Sequence, residues 1–327
     1  MSRDAKARQT PVRAGMSDSR FALTIVGAVI LFNVIVIILP LIYSAWISMH
    51  ETNVILRRQE FVGGQHYAKL LNDPQVIDAI ITSLKFTVVS VALSLFVGLA
   101  IALVLNEQFP GRGMLRAMVL MPWAVSEVVT ATMWIFIVNP TFGGLNGILA
   151  PLGLVSQTHD WLSEGAAIYW VSVAFVWHIA PLGAFFFLAA LQTVPADLYR
   201  AARIDRAGPV ARFFHVTVPH LKYVILIVLV VVTVEAFRGF DLIFAFTRGG
   251  PGTGTQILPL LIYRYQFEFS QYGLAAAASY LMIAIAMVLT MIYFVVLTYR
   301  RRQVRLAPAE LKPVAVAAPI LGGARTP

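Results

Sequence analysis

DLYRAARIDRAGPVARFFHVTVP, residues Asp197 to Pro219, is a charged interruption between two long apolar runs, and its reading decides how the chain is laid out. Pro195 suits the first turn of a helix, Asp197 puts an anion where the macrodipole favours one, and Gly208-Pro209 reads as a stop. One short helix followed by a second is the simplest arrangement. The pair Ala201-Ala202 leaves a low surface that another protein can approach closely, with Arg200, Arg203 and Arg206 on neighbouring helical positions. Taken alone, the stretch reads equally well as a basic, solvated loop beside a membrane.

The runs on either side set the class. Hydrophobic residues make up 59% of the chain and charged residues 13%, against roughly 25% charged in a soluble domain. That is the composition of an integral membrane protein. The net charge of +9 would also suit a nucleic-acid binder, but the basic residues sit in loops between apolar runs, so no nucleic-acid partner is expected. Cysteine is absent, which removes disulfides, thiolate chemistry and Cys-based metal sites.

Six apolar spans are expected, over about residues 21–49, 77–106, 117–138, 166–191, 223–246 and 274–299. The first exceeds the roughly 7 to 15 residues of a signal-peptide core and is expected to be retained. The expected fold is all-α, a polytopic transmembrane helical bundle with no internal repeat. Residues 1–20 form a polar tail, 21–299 the transmembrane domain with its charged loop at 192–222, and 300–327 a basic, Pro- and Ala-rich tail. Residues 50–76 read as a loop with one surface helix. The two tails and the loops at 107–116 and 192–222 carry 18 of the Lys and Arg residues, and the three opposite loops carry 5. This asymmetry places both termini and the opening loop in the cytoplasm of a cell-membrane protein.

Glu235, Arg238 and Asp241 stand three residues apart on the fifth span, so acid, base and acid can pair along one face. Three ionised side chains at mid-bilayer would cost about 8 to 10 kcal/mol, while the aliphatics between Val224 and Val234 return only about 3 to 6. These charges are therefore paired, near an interface, or lining a polar path. Trp123, Ser126, Glu127 and Thr130 fall at spacings that share a face of the third span. Trp177 and His178 precede Pro181 on the fourth, and Ser279 and Tyr280 open the sixth. Aromatic faces beside carboxylates and hydroxyls suit a sugar, but Trp and Tyr equally anchor spans at interfaces, and a lone His equally satisfies a neighbouring helix. Asn33 reads as an interhelical contact and Lys85 as a side chain snorkelling to the outer end. No GxxxxGK[ST], HExxH or GxSxG occurs, so no catalytic or metal residues are expected on this chain, and any ATP is hydrolysed by a partner.

The loop, with LMPWAVSEVVTATMWIFIVNPTFGGLNGIL, FVGGQHYAKLLNDP, and FDLIFAFTRGGPGTGTQ followed by YRYQFE, resembles the membrane-spanning subunit of binding-protein-dependent ABC importers. The likeness is to their carbohydrate branch, which includes maltose, glycerol-phosphate and trehalose permeases, and most of all to mycobacterial-type trehalose importers. It covers nearly all of residues 22–300. The family's hallmark is a loop of Glu-Ala-Ala, three intervening residues, Gly, nine intervening residues and then Ile-x-Leu-Pro. Ala201, Ala202, Asp205, Val216 and Pro219 match it, whereas Arg200 stands where Glu is usual and Arg206 where Gly is usual. The resemblance implies a type I importer permease, with Asp197 to Gly208 as the coupling contact. It also implies a second permease, two ATPase subunits carrying ATP and Mg, and an extracytoplasmic sugar-binding protein. Trehalose is the sugar it suggests. The rival expectation is a proton-coupled secondary transporter working through Glu127, His178, Glu235 and Asp241.

Overall fold

A computed structural model describes residues 18–53 and 58–305 of the chain. Most of the tail expected at 1–20, and the tail expected at 300–327 beyond residue 305, lie outside the described residues. The first apolar run is a rod: α1 (Asp18–Asn33), a π-helical turn (Val34–Ile38) and α2 (Leu39–Ser48). After it come β1 (His50–Asn53), β2 (Arg58–Phe61), α3 (Gln65–Asn72) and α4 (Pro74–Asn106). The chain continues through α5 (Arg112–Ala124), α6 (Glu127–Ile137), α7 (Gly144–Leu149) and α8 (Ala167–Leu191). Next are α9 (Ala196–Ile204), α10 (Pro209–Arg212), a π-helical turn (Phe213–Thr217) and α11 (Val218–Arg238). The last are α12 (Phe240–Phe246), α13 (Leu258–Tyr263), another π-helical turn (Arg264–Glu268) and α14 (Tyr272–Arg305).

Among the described residues, 5 helices are long and apolar enough to cross a membrane, and a sixth span results if the bent pair α5–α6 counts as one. The fold is the all-α polytopic bundle that the hydropathy dictates. At its centre α4, α8 and α11 pack against one another. Lipid offers no hydrophobic reason for helices to associate, so the seams are built from small residues that let backbones close in. A Cβ on Gly98 of α4 would stand 3.1 Å from the Ala180 carbonyl oxygen and 3.2 Å from the Ala184 nitrogen of α8. Next to this contact on α8, Gly183 faces Val228 of α11. Phe86 and Phe175 fill the α4–α8 seam edge to face, with centroids 5.4 Å apart. A second cluster, with Leu70, Val76, Leu258, Leu261 and Leu274, joins α3, the start of α4, α13 and the start of α14. Buried Ser83 ties the two together: its hydroxyl accepts the Leu258 N–H at 2.8 Å and so caps α13.

Several expectations need correction. Residues 50–76 contain a hairpin, His50 opposite Phe61, as well as the surface helix α3. No apolar alternation marks the strands; His50 is instead clasped between Trp46 and Phe61, with centroids 3.9 and 5.3 Å away. The third span is two helices bent by 98°, and the fifth breaks at Gly239 after a helical run that begins as early as Pro209. Gly208-Pro209 thus starts a helix, with Pro209 in its first turn, and the charged loop narrows to the segment around α9. Asn33 donates to the Val29 carbonyl of its own helix, not to a neighbour. Lys85 sits 5.7 Å over the Tyr169 ring near the start of α8.

Candidate functional site

The first candidate is α9. Pro195 precedes it, Asp197 occupies its first turn and Arg203 its last, so both ends agree with the helix dipole. Arg200 pairs with Asp197 at 3.1 Å, both largely exposed, and such a pair adds little stability. None of its residues is buried. Ala201 and Asp205 are exposed and Ala202 is half-buried. Leu198, 47% exposed, and Ile204, 82% exposed, add apolar area beside Ala201 that charge-based reading passed over. Their spacing of three and three from Leu198 through Ala201 to Ile204 was the available signal. Arg206 is past the helix end, not on it, with φ at 57°. Its N–H donates to the Arg203 carbonyl at 3.0 Å and the Ala207 N–H to that of Ala202 at 2.9 Å, the Schellman closure. The helix is tethered to the start of the fifth span by Tyr199 and Thr217, whose hydroxyls lie 3.0 Å apart. Gly208 caps α10.

The second candidate is the break in the third span. Pro122 ends α5, and Ser126 caps α6 by accepting the Val129 N–H at 3.4 Å. The Pro122 carbonyl accepts the Val125 N–H at 3.3 Å, which closes α5, and also a hydrogen bond from His178 Nδ1 at 3.0 Å. Glu127 Oε2 accepts the Leu242 N–H at 3.3 Å and so stabilises the N-terminus of α12 across the bundle. His178, Asp241 and Glu235 all act electrostatically on Glu127. The bend, the fourth span and the broken fifth span therefore meet at one polar centre. Trp123 does not share a face with Glu127, because the 98° bend falls between them. Trp177 packs edge to face on Trp134, centroids 6.5 Å apart.

The acid–base–acid row is also interrupted. Arg238 approaches Glu235 at 3.9 Å, but Asp241 belongs to α12, beyond the Gly239 break, and makes no ion pair among the described residues. The Arg238 side chain is 68% exposed. Tyr280 is structural: its hydroxyl donates to the Leu41 carbonyl and pins the first span to α14. Ser279 bonds its own helix at Ala275 and lines an open pocket of about 410 Å³. In that pocket Phe240, Tyr263 and Phe267, which sequence reasoning missed, form an aromatic run with centroids 5.1 and 5.0 Å apart. The three lie in two separate segments, which hid the run from any spacing rule. No grouping of His, Asp and Glu able to hold a metal occurs among the described residues.

Similar proteins agree with this geometry. Residues 90–306 match the family described as the binding-protein-dependent transport system inner membrane component. The trehalose/maltose transport system permease protein MalF of Thermococcus litoralis is 37% identical over 266 residues, which cover 81% of this chain and 89% of the relative. An sn-glycerol-3-phosphate transport system permease protein, UgpA of Yersinia pestis, is 34% identical over 286 residues, 87% of this chain and 96% of the relative. In fold, the chain superposes on one in the crystal structure of a bacterial ABC transporter involved in the import of alginate. There the TM-score is 0.73 at 21% identity, over 88% of this chain and 96% of that one. With that family model covering residues 90–306 and relatives above 30% identical along most of its length, this chain belongs to the family of inner membrane components of binding-protein-dependent transport systems, the ABC importer permeases.

Proposed function

We propose that the chain is the permease subunit of a sugar importer, that its substrate is a disaccharide of the trehalose and maltose class, and that it works beside a second permease. The observation that carries this reading is the relative named for trehalose and maltose transport, aligned over 81% of the chain. An extracytoplasmic binding protein delivers the sugar, two ATPase subunits hold ATP and Mg, and one of them docks on α9 through Leu198, Ala201, Ala202 and Ile204. Asp197, Arg200 and Asp205 ring that apolar patch with charge, and both termini lie on the same, cytoplasmic side. ATP-driven closure of the ATPases moves α9, and the Tyr199–Thr217 contact passes the movement to α11, which carries Glu235 and Arg238. An exposed, charged α11 face cannot rest against hydrocarbon, which supports a second permease or an aqueous path beside it.

The test is reconstitution in proteoliposomes with the second permease, the ATPases and the binding protein. ATP-dependent uptake of labelled trehalose or maltose is expected, and uptake that persists without the ATPases would refute the reading. An uncoupler at constant ATP should leave uptake intact, and collapse of uptake under those conditions would favour the proton-coupled route.

A further inference from the structure

Behind α9 lies an open cavity of about 680 Å³, lined by none of the residues of the polar centre around Glu127. Three spans end or begin at its level: Leu103 and Asn106 belong to the end of α4, Leu191 closes α8, and Thr217 immediately precedes α11. The remaining wall comes from the inner side of the docking segment, with Tyr199, Arg203 and Arg212. The lining is therefore split, with aliphatic side chains toward the spans and two guanidinium groups toward the loop.

Neither arginine has an ion-pair partner among the described residues. Arg203 Nε makes only a 3.4 Å contact with the Tyr199 carbonyl of its own helix, and Arg212 Nε is buried with no partner at all. A buried guanidinium N–H without an acceptor costs free energy until one arrives. Glu107, at the rim, is the one carboxylate in the lining; it lies beyond ion-pair distance of both arginines and leaves the pocket with a net positive charge. Forked guanidinium donors match the oxygens of a phosphate, and aliphatic walls at the level of the span ends match the start of an acyl chain. Basic pockets between spans on the cytoplasmic side are where acidic headgroups collect.

We propose that this cavity holds the phosphate headgroup of an anionic phospholipid, gripped by Arg203 and Arg212 with its chains along Leu103 and Leu191. The lipid fastens the docking helix to the bilayer surface and sets the height at which α9 is presented. The assignment of that surface to the cytoplasmic leaflet rests on the orientation proposed above; the binding itself does not depend on transport.

The chain, purified with its accompanying subunits, is exchanged into mild detergent and offered phosphatidylcholine vesicles with or without phosphatidylglycerol. Retained lipid is then counted by native mass spectrometry, with inorganic phosphate alone as a third arm. Wild type is expected to keep phosphatidylglycerol and shed phosphatidylcholine. Arg203→Gln and Arg212→Gln should each weaken retention about tenfold, as loss of a charge-assisted hydrogen bond does. Arg212→Lys, which keeps the charge without the fork, should lose less, and Lys69→Gln on α3, at the opposite end of the spans, should change nothing. Equal retention of the two lipids, or retention unaltered in the Arg203→Gln/Arg212→Gln pair, overturns the proposal. So does displacement of the lipid by inorganic phosphate alone, which would make the site one for a free anion. Loss of the ATPase subunits from the paired variant in lipid-free detergent would assign the arginines to a protein contact and would overturn it too. Because lipid counting needs no uptake, a failed sugar assay leaves this result standing.

Discussion

Arg206 occupies the left-handed region at the end of α9, with φ at 57°. An L-residue with a Cβ pays roughly 1 to 2 kcal/mol there, which glycine avoids. The family's usual Gly at this position thus has a backbone reason, and the arginine is a strained substitute that keeps the closure through Ala202 and Arg203. Arg206→Gly should stabilise the end of α9 by about 0.5 to 1 kcal/mol after glycine's extra unfolded-state entropy is counted. Amide hydrogen exchange at Arg206 and Ala207 should slow about two- to fivefold; faster exchange would contradict the strain argument. At Glu127 the acceptor role and the charge separate by substitution. Glu127→Gln keeps an oxygen for the Leu242 N–H, whereas Glu127→Leu removes it and leaves a helix N-terminus uncapped, at a cost of about 1 kcal/mol. Thermal unfolding should rank wild type and Gln close together with Leu clearly below, and equal losses in both variants would mean that charge matters more than the cap. Glu127 could be picked out as a polar residue in an apolar run, but its partner lies more than a hundred residues away and no local pattern points to it.

Helix seams show what sequence does and does not reveal at the scale of elements. Hydropathy located the spans because lipid demands long apolar runs, and α4, α8 and α14 begin within a few residues of expectation. Hydropathy could not locate the breaks. Pro122 and Ser126 lie inside an apolar stretch, and a proline within a membrane helix often only kinks it. Gly239 likewise breaks the fifth span with an ordinary negative φ, so nothing in the residue spacing separates Asp241 from Arg238. The two glycine seams of α8 should respond differently to one methyl group. Gly98→Ala sets a Cβ against the backbone of Ala180 and Ala184, atoms that cannot turn aside, and should cost about 1 to 3 kcal/mol. Gly183→Ala meets only Val228 Cγ1 at 3.2 Å, a side chain that can shift, and should cost less. Unfolding in a mixed-micelle urea or SDS titration distinguishes them; a reversed order would mean that the α4–α8 backbone approach is not the tighter seam.

For the whole molecule, the Lys and Arg asymmetry makes a prediction that the absence of cysteine renders clean to test. Ser156→Cys, in the stretch between α7 and α8, should react with a membrane-impermeant maleimide in intact cells. Ala207→Cys, beside α9, should react only after lysis. The opposite pattern would invert the orientation and with it the docking side. The first span keeps most of its surface outside the bundle, with its apolar window 0% buried, but α2 packs along α14, where the Tyr280–Leu41 hydrogen bond pins it. Its surface was legible only as hydrophobic, since the same composition serves lipid and a neighbouring subunit alike. The 98° bend has a further consequence for the bilayer. At 13 residues, α5 rises only about 20 Å, some two thirds of the roughly 30 Å hydrocarbon thickness, before the chain turns sideways at Glu127. The bend also takes the backbone of Val125 and Ser126 out of the helical ladder inside an apolar span, an arrangement hydrocarbon does not tolerate, so this face of the chain needs protein or water beside it.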